Sequence, residues 1–116
     1  MPILLTVREN ELVFAREYRV ELTAIELVDT KRGKLLKWVI RSLDDNRTLV
    51  AHTSYSEAPG SKCVRWATAL LDRPIPIGCS VDLETLIGKT AIAVVEIQQR
   101  NNREYSRVAE LEPDYY

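Results

Sequence analysis

Hydrophobic and polar positions begin to alternate with a period of two shortly after Phe14. Tyr18, Val20, Leu22 and Ala24 fall on one face and Arg19, Glu21 and Thr23 on the other, as in a half-buried strand. The parity then slips, because Ile25 and Leu27 continue the apolar series on the opposite face, which predicts a β-bulge. Asp29 to Lys34 reads as a hairpin turn in which Gly33 supplies the positive φ needed to re-enter the sheet. Leu35 to Ser42 alternates again, with Leu36, Trp38 and Ile40 on one side. Asp44-Asp45-Asn46 is a turn signal, and Arg47 to Ser54 is a third strand.

The period changes after the loop Tyr55 to Gly60. Ser61 is a candidate N-cap, and Val64, Ala67, Leu70 and Leu71 form a helical stripe flanked by Cys63 and Trp66. Pro74 is expected to end that helix. Pro74 to Gly78 reads as an extended linker, and Val81 to Ile87 as a helical turn with Leu83, Leu86 and Ile87 inward, stopped by Gly88. Thr90 to Ile97 is apolar on both parities, so it predicts an internal strand. Arg100 to Arg103 turns the chain, and Tyr105 to Leu111 is the last strand, ended by Pro113.

The element order is therefore β-β-β-α-β-β. It predicts an all-β protein with one α-helix, arranged as a five-stranded OB-fold barrel. Residues 14–113 are expected to form this single domain, with 1–13 an arm or short strand and 114–116 a tail. A slip in the first strand suits an OB barrel, whose first strand serves both halves.

Composition narrows the function classes. The chain has 116 residues, 46% hydrophobic and 28% charged, which suits one globular domain with a real core. No apolar run approaches the roughly 20 residues of a membrane helix, and the opening residues lack the pattern of a secretory leader. A soluble cytoplasmic protein with no membrane partner is expected. Cys63 and Cys79 match no zinc spacing and read as small reduced apolar residues; with His52 as the single histidine, no metal site is expected. His52 itself reads as a polar strand residue. There is no P-loop, dinucleotide fingerprint or nucleophile elbow, so neither an enzyme, a cofactor nor a small-molecule substrate is expected.

Net charge is −1, yet the charges are unevenly placed. Lys31, Arg32, Lys34 and Lys37 cluster around the first hairpin, and Arg100, Arg103 and Arg107 around the last. Those are the two loops that flank an OB ligand face. Single-strand binders pair such cations with aromatic faces on which bases stack. Trp38, Tyr55 and Tyr105 are the candidates, although Trp38 shares its parity with core residues. Trp66, Phe14 and Tyr18 read as packing residues. The tail Glu110 to Tyr116 is acidic and aromatic, either frayed or a dock for a partner.

Several segments carry a resemblance: Gly33-Lys34-Leu35-Leu36-Lys37-Trp38-Val39-Ile40, the Ser61-Lys62 to Leu70-Leu71 helix, the Val81-Asp82-Leu83 to Ile87-Gly88-Lys89 step, and Tyr105-Ser106-Arg107-Val108. Together they resemble small phage and prophage-type OB-fold proteins associated with single-stranded DNA binding. The resemblance spans most of residues 14–113 and implies a partner that is single-stranded nucleic acid, DNA before RNA. Where such proteins often carry a Gly before the closing aromatic, this chain has Arg103-Glu104. The rival expectation, favoured by the near-zero charge, is an OB-type interaction or assembly subunit, such as a homodimer formed through an edge strand.

Overall fold

The computed structural model describes residues 16–114, apart from the side chain of Arg100. Five strands surround one helix in the expected order: β1 (Glu17–Thr30), β2 (Gly33–Ser42), β3 (Thr48–Ser54), α1 (Lys62–Leu71), a 3-10 turn (Leu83–Leu86), β4 (Thr90–Arg100) and β5 (Arg103–Pro113). They form one antiparallel sheet in the spatial order β3-β2-β1-β4-β5. β3 and β5 are its edges, and no ladder joins them among the described residues. The cylinder expected from the element order is thus not closed by hydrogen bonds. The arm expected at 1–13, Phe14, and Tyr115 and Tyr116 of the tail lie outside the described residues.

β1 holds the sheet together because it serves two partners. Glu17–Glu21 pairs with Thr90–Val94 of β4, while Val20–Thr30 pairs with β2. The register on β2 shifts between Leu22 and Ala24, so the bulge falls at Thr23, where the parity of the sequence slips. A second shift, between Val94 and Val95, leaves Ala109 of β5 unopposed. Bulges add local twist and bend, which a sheet must have to wrap a small core.

The turns obey their residues. Lys31 and Arg32 make the β1–β2 tip, and Gly33 re-enters the sheet at φ 123°. At the β4–β5 tip Asn101 and Asn102 take φ 53° and 62°, the left-handed pair of a two-residue hairpin. Ser61 caps α1, its hydroxyl accepting from the Val64 amide. The helix stops before Pro74 can act: Asp72 adopts φ 60° and its amide reaches back to the Thr68 carbonyl. β5 ends at Pro113, as expected, with the proline itself its last residue opposite Ala91, where an edge strand tolerates a missing amide hydrogen.

Tyr18, Val20 and Leu22 of β1, Leu36, Trp38 and Ile40 of β2, Leu49 of β3, Ala91, Ala93 and Val95 of β4, and Val108 and Leu111 of β5 form the core with Trp66, Ala67 and Leu70 of α1. Trp38 and Trp66 meet edge to face, with ring centroids 5.5 Å apart at 63°. Each indole N–H has a partner, as buried indoles require. Trp38 donates to Thr53 Oγ1 on β3 at 2.9 Å, and Trp66 to Glu110 Oε1 on β5 at 2.7 Å. Leu86 is buried as expected, whereas Ile87, expected inward, is 45% exposed, and the Gly88 amide that follows bonds the Leu22 carbonyl of β1.

Replacing Trp38 by Ala removes the ring contact and strands the Thr53 hydroxyl. Urea unfolding should show a loss of about 3–5 kcal/mol, the usual cost of truncating a buried Trp.

Candidate nucleic-acid interface

The chain's cations divide into engaged and unengaged sets. Arg19 pairs with Asp114 (2.9 Å), Arg41 with Glu21 (3.3 Å), Arg65 with Glu110 (3.1 Å) and Arg107 with Glu96 (3.5 Å). On the β1–β2 hairpin Lys31, Arg32 and Lys34 are exposed and Lys37 half-buried. None of these four side chains is ion-paired among the described residues. Two carboxylates, Glu26 and Asp29, stand opposite Lys37 and Lys34 in the register, so the hairpin keeps an excess of positive charge on a chain whose net charge is −1.

The hairpin has two unlike sides. Lys34 shares its side with Leu36, Trp38, Ile40 and, across the ladder, Leu27 and Asp29. Lys37 shares the other with Leu35, Val39 and Arg41, and faces Glu26 and His52 on its neighbours. This outer face of β1–β3 is aliphatic with charges of both signs, and the imidazole of His52 is its one ring among the described residues. Trp38 is the correction here. Its indole is fully buried between Thr53 and Trp66, so it offers no face to a base.

The second cationic group sits elsewhere. β1 and β4 run antiparallel and leave their shared ladder in opposite directions, one toward the 31–32 tip and the other toward 101–102. The two cationic groups therefore sit on separate hairpins that leave the β1–β4 ladder in opposite directions. On the β4–β5 arm Arg103, Tyr105 and Arg107 alternate with the buried Ser106 and Val108. Arg103 is exposed, Tyr105 is half-buried opposite Gln98, and Arg107 is already shared with Glu96. Arg100 opens this turn, but its side chain lies outside the described residues. Nearby, Lys62 stands over the Trp66 ring at 5.2 Å; burial, then the charge of Arg107, pulls its ammonium below the ordinary lysine range.

Tyr55 is placed where a ligand would meet it. It is 43% exposed, and its amide donates to the Lys34 carbonyl at 2.9 Å, which fixes it beside the first residues of β2, close to the cationic tip. Its ring borders a groove of about 550 Å3 whose walls include Leu36, Pro59, Val64, Ile75, Pro76 and Ile77. Cys63 and Cys79 also line it. Cys63 is buried, bonded to Ser56, but Cys79 is exposed, against the expectation of a packed thiol. Pro74 to Gly78, expected only as an extended linker, supplies Ile75, Pro76 and Ile77 to this groove. The signal was the pair of isoleucines in Pro74-Ile75-Pro76-Ile77-Gly78, apolar residues in a segment with no strand to pair with.

The acidic tail is partly used internally. Glu110 binds both Arg65 and Trp66, and Asp114 accepts from Arg19 and Thr90. His52 lies exposed on the edge strand β3, as its pattern suggests, and no cluster of metal-binding side chains occurs among the described residues. Among the described residues, no helix is long and apolar enough to cross a membrane. Compared with protein-family models and with curated proteins, the chain matches none.

The Tyr55 hydroxyl donates to Glu57 Oε1 at 3.0 Å, and this bond, with the carboxylate's charge, raises the phenol above its ordinary value of 10.0. Ionisation breaks the bond and places two anions side by side, so the proton leaves late. An alkaline absorbance titration, taken as wild type minus Tyr55→Phe, should give a midpoint above 10.0 that falls when Glu57 is replaced by Gln.

Proposed function

We propose that this protein is an OB-type module that binds single-stranded nucleic acid, DNA before RNA, through its β1–β2 hairpin. The observation that carries the reading is the concentration of unneutralised cations at Lys31, Arg32 and Lys34, while arginines on the body of the sheet are spent on carboxylates. Charge left without a partner on a projecting hairpin attracts a polyanion and gives up little on binding it.

The scaffold supports this reading. A first strand shared between two sets of neighbours, a bulge at its midpoint and a helix before the fourth strand suit an OB-type barrel left open between its third and fifth strands. Phosphates would lie along Lys31, Arg32, Lys34 and Lys37, with Tyr55 as the nearest exposed aromatic. Arg103, Tyr105 and Arg107 form a second, weaker contact region on the opposite arm, available to a strand long enough to reach it.

An interaction or assembly role is the second reading. It draws on the two unpaired edges, β3 and β5, which leave backbone groups open to another chain. In that role the protein would form a stable dimer or hetero-complex and leave oligonucleotides unbound at low salt.

Anisotropy of a labelled oligo-dT, titrated at several salt concentrations, separates the two. Binding should weaken with salt, and the triple change of Lys31, Arg32 and Lys34 to Glu should reduce affinity at least tenfold. It should also flatten the logarithmic salt slope by about 2, since each lost phosphate contact removes roughly 0.7. Unchanged affinity in the triple variant would remove the hairpin from the site.

A further inference from the structure

We propose that the groove beneath the β1–β2 hairpin takes the unpaired bases of the strand whose phosphates the hairpin holds. This inference rests on the nucleic-acid reading above and moves the base subsite off the outer face of β1–β3.

Three observations converge on the groove. The first is chemical: the outer face beside Lys37 presents chiefly Val28, Leu35, Val39 and Val50, and its one ring among the described residues is the imidazole of His52, a smaller stacking platform than the phenol of Tyr55. The second is positional. Lys34 points to the groove side of the hairpin, sharing a face with Leu36 two residues on, and Leu36 lines the groove. The Lys34 carbonyl also anchors Tyr55, an exposed aromatic of the groove lining. A phosphate held by Lys34 therefore has a base-binding wall within one nucleotide's reach.

The third observation is the lining itself. Tyr55, Pro59, Pro76 and Ile77 present flat or apolar surface, and Ile77 is 90% exposed, a large apolar side chain left in water. The volume of about 550 Å3 is that of a small-molecule site. Glu57 contributes a carboxylate to the same wall, which repels phosphate and leaves the backbone on the lysines outside. A duplex cannot insert its bases into the groove in this way, because they are paired and stacked with one another. Base–aromatic stacking is the contact that makes such a site selective for single strands.

Cys79, exposed in the groove lining, makes the test direct. Alkylation of Cys79 by a maleimide is followed by mass spectrometry with saturating oligo-dT of about 12 nucleotides, and with an abasic strand of equal length. Oligo-dT should slow the reaction at least fivefold, while the abasic strand, bound through its phosphates at low salt, should leave it within twofold of the free protein. Ile77→Asp, at a position too exposed to matter for folding, should weaken oligo-dT binding at least fivefold and abasic binding little. If bound oligo-dT leaves Cys79 fully reactive, or the abasic strand protects equally, the groove is not the base subsite although nucleic-acid binding stands. If neither strand binds at any salt concentration, the nucleic-acid reading itself falls, and the groove assignment with it.

Discussion

The fold depends on how its open seam is spanned. β3 and β5 are not joined by a ladder, and an open five-stranded sheet would leave one side of its core in water. α1 closes that side through two tryptophans. Trp38 rises from β2 and bonds β3 through Thr53; Trp66 descends from α1 and bonds β5 through Glu110; the two rings meet edge to face between them. The hydrophobic contribution of two buried indoles and the pairing of both N–H groups act at the same place. Backbone hydrogen bonds hold four strand pairs, and the indoles hold the fifth side.

That seam explains why sequence periodicity went so far and then stopped. Alternation marks the strands with one buried face, an unbroken apolar run marks β4, where Ala91, Ile92 and Ala93 are all buried, and the parity slip after Ala24 lies beside the bulge at Thr23. Gly33 and Ser61 act as turn and cap, since their roles depend on neighbours a few positions away. Closure of the sheet is a long-range property with no local signature. Nothing in residues 48–54 or 103–113 states whether those strands pair with each other.

The candidate site was legible in its charges and less so in its rings. Clustered cations on a hairpin remain exposed wherever the hairpin goes, so Lys31, Arg32 and Lys34 stood where the pattern put them. Trp38 obeyed its parity with Leu36 and Ile40 rather than its lysine neighbours, because burying an indole outweighs presenting it to solvent. The separation of the two arms follows from the β1–β4 register, which composition does not encode. The groove depends on a segment with neither helical nor strand period, so its isoleucines mark apolar surface without saying what that surface packs against.

The buried tryptophan pair also decides what light can report from this molecule. Both indole fluorophores sit in the dry interior, tied to the sheet's two margins. Their emission is therefore a gauge of whether the helix is seated, and it is deaf to events on the hairpin surface. A steady indole spectrum during a titration attests that the body remains intact and leaves occupancy to be read by other probes.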